Sequence, residues 1–194
     1  MIVELISVGT EILMGNILNS NTQYLAQKCA LLGMDQFYQV TVGDNYGRMT
    51  DTIKQALGRS DIVILTGGLG PTEDDLTKEV CAEAMGMQLR EDPHTRKQLE
   101  EFFVNNIYTE IPENNWKMAM VPEGAIVLDN PNGMAPGLIL EKNGKTAILL
   151  PGPPGELYPL FEGQVFPLSA EAAEVGSCIQ YGEGLRIRRK PGGG

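Results

Sequence analysis

The first half of the chain alternates strands and helices, which predicts an α/β fold with a parallel sheet covered by helices on both faces. Short apolar runs at residues 2–8 and 62–65 have the length and composition of buried strands. The helical segments that follow strands repeat their apolar residues at helical spacing and end at glycines, as at Gly33 and Gly86. Strands joined through helices in this way run parallel in one sheet.

The individual elements follow in order along this half. After the first strand, Ser20 and Gln23 have the spacing of a capping box and predict the start of a helix. Residues 38–42 alternate as a second strand, and a second helix follows residues 43–45. The third strand leads through a glycine-rich loop into a third helix. The apolar residues predicted to face inward from the helices are Leu25, Cys29, Leu32, Met49, Ile53, Ala56, Leu57, Leu76, Val80 and Ala84.

The second half has a different pattern. Asp92 and Pro93 form a good N-cap and first-turn pair for a helix, and residues 114–120 predict a second helical segment. Asn143-Gly144, between apolar runs at 138–141 and 146–150, is a strong hairpin signal. A proline- and glycine-rich loop at 151–156 then leads into a short helix at 157–161.

Length and composition indicate one domain with a substantial core, because the chain has 194 residues and 42% hydrophobic content. The pattern of elements is lost after Leu168, so we expect the domain to cover residues 1–168. Residues 169–194 hold four basic residues between positions 186 and 190 and end in glycines. We expect a partly disordered tail there rather than a nucleic-acid or membrane contact.

Charge and cysteine usage restrict the function classes. A formal net charge of -10 argues against a nucleic-acid partner, which needs basic patches. No apolar run reaches membrane-spanning length and no basic leader precedes the first strand, so we expect a cytoplasmic protein without a membrane contact. The three cysteines have no metal-ligand spacing, and Cys29 and Cys81 are expected to be reduced thiols of the core.

The glycine-rich loop at residues 66–78 contains the clearest functional signal. It places Gly67, Gly68 and Gly70 between the end of a strand and the start of a helix, where backbone amides suit phosphate. It lacks the Gly-Lys-Ser/Thr ending of a Walker loop and the third glycine of a dinucleotide fingerprint. A glycine turn with an acidic helix cap explains the loop alone equally well.

Four loops follow predicted strands and therefore lie at one edge of the sheet, where ligands of open α/β sheets bind. Asp44 and Asp75 follow different strands, so the two carboxylates could hold one Mg²⁺ against a phosphate, or one could orient an attacking water. Glu11 is a weaker candidate for the same work. Clustered acids among exposed glycines are difficult to explain as helix caps alone, although acids are common at helix N-termini. The acids of these loops are Glu11, Asp44, Glu73, Asp74, Asp75 and Glu156.

Other chemistry is less well supported. His94 is the only histidine and lies in the first turn of a surface-like helix, which makes a Ser–His triad improbable. Trp116 and Tyr108 offer rings for stacking on a base or pterin, but a core or interface anchor explains them better. The apolar middle with Phe102, Phe103, Trp116 and Met118 predicts a homo-oligomer, a dimer or a trimer.

Taken in order, six sequence blocks resemble a known family, the N-terminal domain of the competence/damage-inducible protein CinA. That domain is similar to the molybdopterin-binding domains of molybdenum-cofactor biosynthesis, MoaB, MogA and the central domain of MoeA. The Gly-Gly-Leu-Gly-Pro-Thr-x-Asp-Asp-Leu-Thr block at 67–77 is the specific part. The other blocks are residues 9–15, 19–21, 42–45, 132–137 and 150–156.

The resemblance implies a three-layer α/β/α fold with a mostly parallel sheet and a phosphorylated small-molecule ligand. It maps two family acids onto Asp44 and Asp75 and a Pro-Gly-x-Pro loop onto residues 151–154. It further implies a metal-dependent ADP-ribose pyrophosphatase, using Mg²⁺, Mn²⁺ or Co²⁺ to give AMP and ribose 5-phosphate. The chain is too short to hold the deamidase domain of that family, so no deamidase activity is expected.

Two enzyme classes and one binding class therefore remain. They are a metal-dependent hydrolase of a nucleoside diphosphate sugar, a molybdopterin-binding or adenylyl-transferring protein, and a non-catalytic nucleotide-binding module. Asp44 and Asp75 are the predicted catalytic and metal-binding residues. The predicted ligand-binding residues are Thr10, Glu11, Gly67, Gly68, Gly70, Thr72, Asp74, Thr77, Pro151 and Gly152.

Overall fold

A computed structural model describes residues 1–105 and 111–167 of the chain. The prediction of a disordered tail at 169–194 and the hypothesis about Tyr108 lie outside these residues. Within them, no helix is both long and apolar enough to cross a membrane.

A six-stranded mixed sheet forms the middle layer, in the order β2-β1-β3-β8-β7-β6. The four strands β2, β1, β3 and β8 run parallel; β7 pairs antiparallel with β8, and β6 pairs antiparallel with β7. The predicted α/β fold with a mostly parallel sheet is thus confirmed. The strands are β1 (Ile2–Val8), β2 (Asp35–Val42), β3 (Ile62–Thr66), β6 (Ile126–Leu128), β7 (Gly137–Lys142) and β8 (Lys145–Leu150), and the separate two-stranded ribbon consists of β4 (Leu89–Glu91) and β5 (Met120–Pro122).

Helices cover both faces of the sheet because each strand alternates its apolar side chains between the two faces. In β3, Val63 and Leu65 pack in one core with α3 and α4, whereas Ile62 and Ile64 pack in the other with α2 and α6. This gives three layers. The helices are α1 (Thr10–Leu13), α2 (Ser20–Leu31), α3 (Tyr46–Arg59), α4 (Thr77–Ala84), α5 (Pro93–Asn105) and α6 (Pro154–Leu160), with a 3₁₀ helix at Glu113–Ala119 and a π turn at Phe161–Val165.

The helix starts test the capping predictions. Asp92 caps α5, because its carboxylate accepts from the Thr95 amide at 2.8 Å, as expected. The predicted capping box of Ser20 and Gln23 is wrong. Asn19 caps α2 instead, with its side chain accepting from the Thr22 amide, so Ser20 is the first helical residue.

The hairpin between β7 and β8 is confirmed. Asn143 and Gly144 have φ angles of 53° and 72°, the two positive values that a type I′ turn requires. The two strands pair antiparallel from Lys142 opposite Lys145. The hairpin places β8 against β3, where its carboxyl end joins the parallel strand ends.

An insertion between α4 and β6 holds α5, the 3₁₀ helix and the β4–β5 ribbon. Its own small core contains Leu99, Met118 and Ala119, with Trp116 packed against it. Residues 114–120, predicted as a helix, form most of the 3₁₀ helix and the start of β5. Met118 and Phe103 are buried within the chain, so they no longer support the predicted association, which itself stays a prediction.

The chain reverses its direction along the sheet after β2. From β1 it passes through α2 to β2 on one side, and then through α3 on the other face to β3 on the opposite side of β1. Such a switch point opens a crevice beyond the carboxyl ends of the two diverging strands. The site is therefore expected beyond Val8 and Thr66.

Candidate functional site

A cavity of about 600 Å³ lies at this switch point. Residues from all four loops that were predicted to share one edge line it, so that prediction is confirmed. The predicted site residues in its wall are Glu11, Asp44, Gly67, Gly68, Gly70, Asp74, Asp75, Pro151 and Gly152. Thr10, Thr72 and Thr77 are absent from the wall.

The glycine-rich loop turns back on the strand ends because its first two glycines have positive φ angles, 92° at Gly67 and 67° at Gly68. A Cβ on Gly67 would lie 2.5 Å from the Val8 carbonyl oxygen, and one on Gly68 would overlap the Thr77 hydroxyl. The Gly67 amide donates to the Leu150 carbonyl at 3.0 Å. The expectation that the Gly67 amide binds phosphate is therefore wrong, because a strand end already uses it. Among the described residues, the amides of Gly68 and Gly70 have no acceptor.

Thr77 holds this loop in place. Its hydroxyl donates to the Gly67 carbonyl at 2.7 Å and its amide donates to the Gly68 carbonyl at 3.1 Å. The side chain is fully buried. The expectation that Thr77 contacts ligand is thus corrected: as the first residue of α4, it anchors the loop from below.

Asp75 is hydrogen-bonded to Thr72 within the glycine-rich loop. Its Oδ2 accepts from the Thr72 amide at 3.0 Å and from the Thr72 hydroxyl at 2.5 Å. Gly70 lies directly against this carboxylate, since a Cβ there would be 2.6 Å from Oδ2. Thr72 therefore orients Asp75 instead of lining the cavity, and Asp75 is not the unpaired acid that its place in a cleft suggests.

Asp44 has the same kind of partner. Its Oδ2 accepts from both the amide and the hydroxyl of Thr10, each at 2.9 Å, and the Asp44 amide donates back to that hydroxyl at 3.2 Å. Thr10 is the first residue of α1, so Asp44 caps this short helix from a different loop. The cap and the site hypothesis are compatible, because only one carboxylate oxygen is used.

Two lysines support the acidic loop from beneath. Lys117 of the 3₁₀ helix donates its Nζ to the Thr72 carbonyl at 2.9 Å and to the Asp75 carbonyl. Lys78 in turn donates to the Lys117 carbonyl at 2.5 Å. Burial lowers the pKa of Lys78 to about 8, because desolvation disfavours the charged amine. Sequence reasoning missed both lysines, since Lys117 lies 42 residues from Asp75 and no local pattern connects them.

Further acids lie around the cavity. Glu11 packs its carboxylate against Gly9, where a Cβ would lie 2.7 Å from Oε1. Glu156 accepts from the Asn130 side chain at 2.7 Å, which holds the loop before β7 over the start of α6. His94, as expected, is exposed and contacts Asp129 at 2.9 Å on the surface.

Two polar residues of the cavity wall were also missed. Asn21 and Thr66 are 7% and 3% exposed, and both line the cavity. Asn21 donates its Nδ2 to the Gly152 carbonyl at 2.6 Å. A signal for Asn21 existed, because it belongs to the block at 19–21 on which the resemblance partly rests. Thr66 was predicted to be the first residue of the glycine-rich loop, whereas the structure makes it the last residue of β3.

Asp44 and Asp75 are the residues that could hold a divalent metal. Among residues 1–105 and 111–167 there is no group of three or more histidine, cysteine or acidic side chains suited to a metal. Each of the two carboxylates uses Oδ2 for threonine, and Oδ1 accepts from no described residue. Mg²⁺ typically takes one or two carboxylates and completes its shell with water and substrate phosphate. Two carboxylates with one free oxygen each are chemically of the type that such an ion takes beside a bound phosphate.

The family is established by comparison. A family model described as a probable molybdopterin binding domain matches residues 4–170, so the chain belongs to this family. It is 55% identical over 167 residues to a competence-damage inducible protein of Caldicellulosiruptor bescii, covering 86% of this chain and 40% of that protein. A relative from Symbiobacterium thermophilum is 53% identical over 171 residues, with 88% and 40% covered. The chain thus spans about 40% of the length of these curated relatives.

Solved structures agree with this placement. A protein CinA of unknown function from Thermoplasma acidophilum superposes with a TM-score of 0.79 at 32% identity, covering 84% of this chain and 95% of that chain. The molybdopterin biosynthesis enzyme MoaB of Thermus thermophilus gives a TM-score of 0.58 at 14% identity, covering 95% and 99%. The second likeness concerns the fold alone. The resemblance stated from the sequence blocks is confirmed.

Proposed function

We propose that the chain is a metal-dependent hydrolase of a nucleoside diphosphate sugar, of the type that splits ADP-ribose into AMP and ribose 5-phosphate. The observation that carries this proposal is the pair of oriented carboxylates, Asp44 and Asp75, in one cavity with the glycine-rich loop. Carboxylates beside amide donors suit a phosphate ester held through a cation.

The chain's own residues would bind and orient the pyrophosphate. The amides of Gly68 and Gly70, which have no acceptor among the described residues, would donate to phosphate oxygens, and the carboxylates of Asp44 and Asp75 would hold the divalent metal through Oδ1. When bound, the metal supplies positive charge that stabilises the phosphoryl oxygens as charge develops on them. Thr10 and Thr72 keep the two carboxylates in fixed orientations, which lowers the reorganisation needed during the reaction.

The reaction is a hydrolysis. The oxygen of a water molecule bonds to one phosphorus, and the bond between that phosphorus and the bridging oxygen breaks. The bridging oxygen leaves with the other phosphate, and at neutral pH two protons are released to solvent. Exposed Asp74, which lines the cavity, is an additional carboxylate that can orient the water.

The direct test is a product analysis of the wild-type chain. Incubation with ADP-ribose in Mg²⁺, Mn²⁺ or Co²⁺, followed by ion-exchange chromatography, is expected to yield AMP and ribose 5-phosphate in equal amounts. Chelation by EDTA is expected to stop the reaction. Other nucleoside diphosphate sugars define the substrate range. Absence of turnover with every substrate and metal would contradict the proposal.

A second candidate is a molybdopterin-binding or adenylyl-transferring function. The observation that favours it is the family match over residues 4–170. Titration with molybdopterin, with and without ATP and Mg²⁺, tests it: saturable binding and an adenylylated product would favour this reading. Binding of nucleotide or pterin without any turnover would indicate a binding module. We also propose that the chain forms homo-oligomers and is located in the cytoplasm.

A further inference from the structure

Two residues of the cavity wall, Asn21 and Thr66, carry buried side-chain oxygens. Asn21 Oδ1 and Thr66 Oγ1 are buried, and among the described residues neither has a hydrogen-bond partner. The donation from Asn21 Nδ2 to the Gly152 carbonyl fixes the amide so that Oδ1 is the free atom. Buried polar atoms without a partner destabilise a fold, so two of them in one cavity wall indicate a partner supplied from outside the chain.

Their place along the strand ends separates them from Asp44. Asp44 follows β2, whereas Thr66 ends β3 and Asn21 is bonded to the loop after β8. In the order β2-β1-β3-β8, with neighbouring strands about 4.8 Å apart, β2 and β8 are separated by three strand spacings. A ligand that reaches from Asp44 to Asn21 must therefore extend beyond its phosphates.

We propose that Asn21 Oδ1 and the Thr66 hydroxyl hydrogen-bond the organic part of the phosphorylated substrate, with Asn21 Oδ1 as an acceptor. The inference rests on the proposed function and adds which part of the substrate is recognised. The amide oxygen of Asn21 only accepts, so the complementary group is an O–H or N–H. Phosphate oxygens, ionised at neutral pH, do not supply it. A sugar hydroxyl and the amine of a base both do.

The test uses substitutions of Thr66, because valine has nearly the same shape without the hydroxyl. Thr66→Val is expected to weaken ADP-ribose binding roughly tenfold and to leave inorganic pyrophosphate binding unchanged, measured by isothermal titration calorimetry in EDTA, where hydrolysis is stopped. Its melting temperature is expected to equal or exceed that of the wild type, because an unpartnered hydroxyl is removed. Thr66→Ser keeps the hydroxyl and is expected to keep the affinity.

Thr50 provides the matched control. It is also a buried threonine, but its hydroxyl donates to the Tyr46 carbonyl at 2.8 Å within α3, away from the cavity. Thr50→Val is expected to lower the melting temperature without changing the affinity for ADP-ribose.

Two probes distinguish the source of the donor: ribose 5-phosphate carries hydroxyls without a base, and 2′,3′-dideoxyadenosine diphosphate carries the amine without the ribose diol.

The outcomes separate this inference from the proposed function. Equal affinity of Thr66→Val and wild type for every organic phosphate would overturn the inference alone. A lower melting temperature of Thr66→Val with unchanged affinity would do so too, since it would show an internal water as the partner. Binding of ADP-ribose without hydrolysis would overturn only the proposed function, and no binding of any organic phosphate would overturn both.

Discussion

The two aspartate–threonine units of the cavity have the same hydrogen bonds but different supports. In each, one carboxylate oxygen accepts from the amide and the hydroxyl of one threonine. Asp44 and Thr10 are 34 residues apart and join the loops after β2 and β1. Asp75 and Thr72 are three residues apart within one loop, and Lys117 of the insertion holds both of their carbonyls.

The difference shows how one chain fixes two carboxylates by separate means. The Asp44 unit takes its position from two adjacent parallel strands, because its two residues follow directly from their ends. The Asp75 unit lies on an irregular loop and takes its position from Lys117 and, one step further, from Lys78. Changes in the insertion should therefore affect Asp75 and leave Asp44 in place.

The largest effect is expected when either carboxylate loses its charge. Asp75→Asn and Asp44→Asn each retain an oxygen that can accept from threonine, but they bind a cation poorly. Turnover of ADP-ribose should fall by roughly a hundredfold or more, the scale of lost electrostatic stabilisation. Steady-state kinetics and melting curves on the same samples measure both effects.

Asp51→Asn on the exposed face of α3 serves as the control and should leave turnover unchanged. Full activity of Asp75→Asn together with a lowered melting temperature would show that Asp75 only closes its loop. Asp74 would then be the next residue to test.

The support beneath Asp75 should make the stability of the chain depend on pH. Lys78 has a folded pKa of about 8 against an ordinary 10.5. Below pH 8 the lysine is protonated in both the folded and the unfolded chain, so the folded chain carries the full cost of burying the charge. Between pH 8 and 10.5 the unfolded chain binds more protons than the folded one, so the free energy of unfolding increases with pH. The gain is about 1.4 kcal/mol for each pKa unit of difference.

Buried thiols oppose this gain. Burial raises the pKa of Cys29 to about 11 and that of Cys81 to about 12, so the unfolded state loses these protons first and stability falls above pH 9. Comparison of Lys78→Met with the wild type by urea unfolding at pH 7 to 9.5 isolates the lysine. The slope of the unfolding free energy against pH should decrease in Lys78→Met and stay unchanged in Lys54→Met, an exposed control. Identical slopes in all three would mean that Lys78 is not desolvated.

A smaller effect on activity is expected from Lys117→Met. It removes the ammonium that holds the Thr72 and Asp75 carbonyls, so Asp75 should lose its position while Asp44 keeps it. We expect turnover to fall roughly tenfold, on the scale of a modest misplacement of a catalytic group. Lys97→Met, on the exposed side of α5, is the control. Unchanged turnover in Lys117→Met would show that Asp75 keeps its position without this lysine.

The smallest expected effects are on the unfolding free energy, when Thr10 or Thr72 loses its hydroxyl. Thr10→Val removes a hydroxyl that both donates to Asp44 and accepts from its amide, so it should cost about 1 kcal/mol of unfolding free energy. Thr72→Val removes one donation, and Lys117 still holds the loop, so about 0.5 kcal/mol is expected. Chemical unfolding measures both, and a larger loss for Thr72→Val would reverse the comparison.

Local patterns predicted the fold where each element carries its own signal. The apolar runs of β1 and β3, the Asp92 cap and the Asn143-Gly144 turn depend on neighbouring residues alone, and all four were confirmed. That Asp44 and Asp75 line one cavity followed from their loops lying at the carboxyl ends of parallel strands. The role of Thr77 did not, because its burial depends on how Gly67 and Gly68 fold back over it.

Side chains that act across long sequence separations could not be predicted. Lys117 reaches Asp75 only because the insertion packs its 3₁₀ helix beneath the loop. The orphaned oxygens of Asn21 and Thr66 become visible only once the partners of every neighbouring group are known. These properties belong to the packed structure rather than to any local sequence pattern.

The floor of the cavity consists largely of main chain. Gly67 lies against the Val8 carbonyl and donates to Leu150, and a Cβ on Gly152 would lie 3.6 Å from the Gly67 Cα. Three strand ends thus meet with almost no side chain between them. Substitution at Gly67 is sterically excluded, whereas exposed rim residues such as Ile17 and Leu18 can change without moving the floor. The main-chain floor therefore leaves ligand preference to the side chains around it, both at the rim and at the buried Asn21 and Thr66.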